Sequence, residues 1–94
     1  MTVTPAHTTV TVTSTSGTAL AANEDRVHAV FVNDSNKDIW LNLSATAVAN
    51  TGILLTAHGG SLDICDDHPY LGVIAAIHAS TGNKTLLVTQ DTVA

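Results

Sequence analysis

Apolar and polar residues alternate with period two along much of this chain, the spacing of side chains on a pleated strand. Thr9-Val10-Thr11-Val12-Thr13 sets valine on one face and threonine on the other. Pro5, just before it, excludes a helix and suits a strand start or an extended arm. Val27-His28-Ala29-Val30-Phe31-Val32 is apolar on both faces and ends in the turn formers Asn33-Asp34-Ser35-Asn36-Lys37-Asp38. Ile39-Trp40-Leu41-Asn42-Leu43 follows at once, and two runs joined this way read as a β-hairpin. Ile53-Leu54-Leu55-Thr56 and Ser61-Leu62-Asp63-Ile64 are short strands on either side of a Gly59-Gly60 turn. Gly72 to Ala79 is a longer strand, turned by Thr81-Gly82-Asn83 into Thr85-Leu86-Leu87-Val88-Thr89 as a second hairpin. Ala45-Thr46-Ala47-Val48-Ala49 alone has a helical look, and Asn50-Thr51-Gly52 stops it, so it reads as a loop. The pattern predicts an all-β fold, a small antiparallel β-sandwich or barrel of about seven strands. Residues 1–17 are expected to be a Thr/Ser-rich N-terminal arm or first strand, and 18–94 a single β-sandwich domain.

An antiparallel sandwich ordinarily buries one face of each sheet and wets the other. Several strands here are apolar on both. Val27, Ala29 and Phe31 oppose Val30 and Val32; Ile39, Leu41 and Leu43 form a core face that leaves Trp40 outside. Val73, Ala75 and Ile77 read as core against Ile74 and Ala76, and Leu86 and Val88 as core against Leu87. The expected outer set is therefore Val30, Val32, Trp40, Ile74 and Leu87. A contiguous apolar set containing the single tryptophan marks a protein interface. The other way to cover it is by this chain's own loops or N-terminal arm.

Composition sharpens that choice. Charged residues make up 12% of the chain and hydrophobic ones 45%, whereas a soluble domain is about 25% charged. So little charge cannot coat a monomer in the usual way. The surface is either hydroxyl- and amide-coated or partly buried in an assembly. Three Lys+Arg against a net charge of −5 fall short of the roughly 6–10 phosphate contacts of a DNA-binding protein, so nucleic acid is not an expected partner. The same balance disfavours an anionic membrane, and no apolar run approaches the roughly 20 residues that span a bilayer. The N-terminal segment lacks the basic start and apolar core of a signal peptide. A single cysteine, Cys65, permits no intrachain disulfide and fits a chain made in a reducing cytoplasm.

No catalytic residue, metal or cofactor is expected. His7, His28, His58, His68 and His78 show neither HxH nor HxxxH spacing, and Cys65 has no CxxC partner. Asp66-Asp67-His68 is a cation site on paper but lacks the spacing of a calcium loop, and reads as a solvated acidic turn. A Cys65–His68 dyad has no helix N-terminus to activate its thiol, and no G-x-S-x-G elbow is present. His28 and His78, on long apolar strands, read as hydrogen-bonded core or interface histidines. N-x-S/T matches at Asn33, Asn42 and Asn83 carry meaning only on a secretory route. A carbohydrate-binding sandwich needs exposed aromatics, of which Trp40 and Tyr70 are the candidates.

From Arg26 to Gln90 the chain resembles small β-sandwich virion accessory proteins of tailed bacteriophages, of the capsid decoration (cement) or head-fibre type. The matching elements are Arg26 with Asn33-Asp34-Ser35, Ile39-Trp40-Leu41-Asn42-Leu43, the stretch from Ala45 to Ile53, and Ala57-His58-Gly59-Gly60-Ser61. Gly72 to Ala79 and Lys84-Thr85-Leu86-Leu87-Val88-Thr89 complete them. Asp63-Ile64-Cys65-Asp66-Asp67-His68-Pro69 departs from the pattern. The resemblance implies a virion structural protein, made in the host cytoplasm, that binds the major capsid protein on the outer surface of the head shell. It implies no catalytic residues. Self-association is expected as well, with a trimer preferred over a dimer because shells offer three-fold sites, although closed dimers are commoner in general. The alternative is a carbohydrate-binding or host-attachment module of a head or tail fibre.

Overall fold

The structure, a computed structural model, describes residues 2–64 and 70–93. They form eight strands: β1 (Val3–Val12), β2 (Gly17–Leu20), β3 (Arg26–Asn33), β4 (Ile39–Asn42), β5 (Ile53–Leu55), β6 (Ser61–Ile64), β7 (Ile74–His78) and β8 (Lys84–Val93). The expected all-β sandwich is found, with one strand more than the sequence pattern predicts. The additional strand is β2: Gly17-Thr18-Ala19-Leu20 has weak strand propensity and exists by pairing with β7. Residues 3–12 are a first strand, paired with β8 along their whole length from Val3↔Val93 to Val12↔Lys84.

One sheet, here sheet A, has the order β1-β8-β3-β6, and the other, sheet B, has β2-β7-β4-β5. β1 pairs with β8, β2 with β7, β3 with β6 and β4 with β5, all antiparallel. The β3–β8 and β4–β7 ladders then close each layer. This nesting is a long antiparallel ribbon rolled into two sheets, the jelly roll.

The topology overturns both expected hairpins. β3 and β4 lie in different sheets, as do β7 and β8, so the turns between them are arches across the sandwich. The turn formers at 33–38 and 81–83 reverse the chain in either geometry. What separates the two is where the flanking strands find partners, and that is a long-range matter. At the first arch Asn33 is fully buried, and its Nδ2 donates to Lys37 O (2.7 Å) and across the sandwich to Leu55 O (2.9 Å). Ser35 Oγ donates to Asn33 Oδ1 (2.6 Å), so the buried amide is satisfied on both sides.

The core lies between the sheets. Val12, Ala29, Phe31, Leu86 and Val88 come from sheet A and meet Ala19, Ile39, Leu41, Leu55, Ile74 and Ala76 from sheet B. Three face assignments change. In β7 the phase is reversed: Ile74 and Ala76 point inward, while Ala75 and Ile77 belong to a separate cluster outside sheet B. Five consecutive apolar residues cannot report their own phase, and a shift by one residue exchanges the faces. Leu43 is exposed rather than core, because β4 ends at Asn42. Val27 sits at an irregularity in the β3–β8 register, which turns Arg26 inward.

Candidate interface

The outer face of sheet A is assembled by register. Thr9, Leu87, Val32 and Ser61 stand side by side across β1, β8, β3 and β6. The next row is His7, Thr89, Val30 and Asp63. Leu87 is 40% exposed and Val30 and Val32 are half-buried, so the three form a small apolar strip rimmed by the hydroxyls of Thr9, Thr89 and Ser61 and, beside Val30, by the Asp63 carboxylate. His7 Nδ1 lies 2.9 Å from Thr89 Oγ1, and His28 Nδ1 lies 3.3 Å from Asp91 Oδ2 at the edge of the strip. Arg26, Lys37 and Lys84, the only cationic Lys and Arg side chains of the chain, are all off this face.

The outer face of sheet B is built differently. Trp40, Ala75 and Ile77 point outward there, and the β4–β5 connection folds back over them. Ala47, 3% exposed, seats on Ala75 and Ile77, with Ala49 and Trp40 packed around it. Ser16 Oγ accepts the Ala47 amide at 2.7 Å. Asn42 clamps the same segment, accepting from Val48 N (3.3 Å) and donating to Thr51 Oγ1 (3.2 Å). At Gly52, with φ of +85°, an added Cβ would sit 2.4 Å from Leu41 O; only glycine lets the cover lie this close.

The expected interface set is therefore divided. Val30, Val32 and Leu87 share one face. Trp40 lies on the opposite side of the sandwich, half-buried under the chain's own loop. Ile74 is not an interface residue at all: it is fully buried in the core. Of the two ways to cover a second apolar face, by other protein or by the chain's own loops, sheet B uses the intramolecular one. Ser16 and Asn42 gave no sequence signal for this role, since their partners are backbone atoms placed by tertiary folding.

Trp40 keeps one exposed border. With Lys37, Asp38, Ala79 and Ser80 it lines a shallow depression of about 240 Å³. Tyr70 packs against the core, and its hydroxyl lies 2.9 Å from both Leu43 O and Val73 O. His78 is buried, with Nε2 directed at Gly82 O (2.8 Å) and Nδ1 accepting from Ser80 N (3.0 Å), as expected of a core histidine. Cys65, Asp66, Asp67 and His68, and with them the dyad and the acidic turn, lie outside the described residues. Among the described residues no group of three His, Cys, Asp or Glu side chains converges.

Arg26, 2% exposed, is a buried charge. Its guanidinium donates to Gln90 Oε1 (2.8 Å), Tyr70 O (2.5 Å), Gly72 O (3.1 Å) and Ala21 O (2.6 Å). Burial lowers its pKa below the ordinary arginine value, and a weaker Coulombic effect of Tyr70 opposes this. Among the described residues every contact is to a neutral acceptor, and Arg26 staples β3 to the chain segments next to β2 and β7.

In comparison with known proteins, no family model, no curated protein sequence and no solved structure matches the chain. What the chain is follows from its own coordinates: a small jelly-roll sandwich with one self-covered face and one open face.

Proposed function

We propose that this chain is a non-catalytic structural protein of a phage particle, a decoration protein that lies on the head shell and binds the major capsid protein through the outer face of sheet A. The observation that carries the reading is the open strip of Val30, Val32 and Leu87, rimmed by Thr9, Thr89 and Ser61 and free of Lys and Arg. Burying side chains of this size contributes about 1.5–3 kcal/mol each, enough for many weak copies on a repeating lattice. The jelly roll recurs in viral capsid and lectin domains, a likeness of fold alone.

The test is co-sedimentation with purified shells. Wild type should bind saturably, and Val32→Asp should lose binding while its circular dichroism is unchanged, because a carboxylate there is desolvated without a partner. Failure of wild type to bind, or full binding by Val32→Asp, overturns the reading.

A second reading, a carbohydrate-binding module for host attachment, is favoured by one observation. Trp40 borders a depression that also presents Lys37, Asp38 and Ser80, an aromatic surface with polar groups beside it. Saturable binding in a glycan screen, abolished in Trp40→Ala, would establish it in place of the first.

A further inference from the structure

β1 is an edge strand, and residues 3–9 are exposed on both faces. Along an antiparallel strand, successive residues direct their N–H and C=O groups alternately to one neighbour and to the other. Three observations fix which residues of β1 point away from β8. Pro5, opposite Asp91, has no N–H to give and so belongs to the outward set. The carbonyl of Thr13, in the same phase, already points away from β8 and accepts from His78 N at 3.1 Å. On β3, Asn33 N donates to Gly60 O on the β6 side, which through the β3–β8 and β1–β8 registers assigns the same parity. The open edge of β1 therefore presents the backbone groups of His7, Thr9 and Thr11, with Pro5 closing one end and the occupied Thr13 carbonyl the other.

We infer that this edge pairs with the same edge of a second copy, antiparallel about a two-fold axis at Thr9. Thr9 then faces the partner's Thr9, and His7 faces the partner's Thr11, each pair exchanging two hydrogen bonds. This is the longest register that keeps Pro5 out of the ladder. Moving the axis toward His7 sets a carbonyl against the proline ring, and moving it toward Thr11 shortens the pairing. Charge selects a second copy as the occupant. Residues 1–23 hold no Asp, Glu, Lys or Arg, so two chains of net charge −5 meet along an edge where neither carries charge. No inward-pointing charge blunts the edge, the usual device against such pairing. The joined sheet also continues the outer strip across the axis, because Leu87 is the cross-strand neighbour of Thr9. The proposed assembly is two-fold, in place of the trimer preferred from shell symmetry.

The mass of the isolated full chain tests this without any shell, so its outcome stands apart from capsid binding. Light scattering at tens of micromolar should give a dimer. Thr9→Pro removes only an outward N–H and should give a monomer with unchanged circular dichroism. In a Cys65→Ser background, Thr9→Cys should oxidise to a covalent dimer, since paired Cα atoms about 5.5 Å apart suit a disulfide, whereas Thr18→Cys on sheet B should not. The cysteine pair decides the matter if Thr9→Pro fails to fold. A monomeric or trimeric wild type, a folded Thr9→Pro dimer, or cross-linking at Thr18 equal to that at Thr9 overturns the inference.

Discussion

Arg26 shows how much one side chain does in a sandwich of this size. Four of its N–H groups are used: they reach carbonyls on two separate segments, at Ala21 and at Tyr70 and Gly72, as well as the Gln90 side chain on β8. Removing it leaves these acceptors buried without a donor. Arg26→Ala is therefore expected to destabilise the fold by about 3 kcal/mol, read from the urea midpoint. Arg26→Lys should recover only a minor part, because a single ammonium cannot span a planar fork. Equal stability of all three proteins would show that the staple is replaceable by water. Asn33 has the same character at the other end of β3, where a buried amide joins the β3–β4 arch to β5. Neither residue stood out in the sequence for this role: Arg26 preceded an apolar run, and Asn33 looked like the first residue of a solvated turn.

At the scale of elements, the β4–β5 connection decides what the surface of sheet B is. Asn42 and Ser16 hold it in place through backbone amides of Val48 and Ala47 and the hydroxyl of Thr51. Asn42→Ala is expected to loosen the loop, cost about 1 kcal/mol, and expose more of Trp40. The measurement is Trp40 fluorescence, the only tryptophan signal of the chain, which should shift to longer wavelength in the native state. An unshifted spectrum would mean that Ala47 stays seated without its clamp. The loop was legible as a loop, from Asn50-Thr51-Gly52. That it covers Ala75 and Ile77 was not, because the outward phase of β7 cannot be read from five apolar residues in succession.

The whole molecule is dominated by pairing between distant segments. β1 and β8 are joined from Val3↔Val93 onward, and β2 and β7, from Gly17↔Ala76, are also far apart in the chain. Loops of that length must close before their contacts form, so refolding is expected in milliseconds to seconds, well slower than a helical protein of equal length. Stopped-flow recovery of Trp40 fluorescence checks this. A microsecond phase carrying the full amplitude would contradict it, since among the described residues no local hairpin besides β4–β5 joins consecutive strands.

The sequence by itself determined the all-β class, the positions of seven of the strands and the outward placement of Val30, Val32, Trp40 and Leu87. Each of these rests on period-two alternation and turn chemistry, which act within a few residues. The tertiary structure decided the rest. It placed Ile74 in the core, set Trp40 on the sheet opposite Val32, drew β2 into being against β7, and made arches of two expected hairpins. These outcomes turn on which strand lies beside which. A strand apolar on both faces fits either phase and either sheet locally, so the choice falls to the partners that complete its ladder and close over its second face.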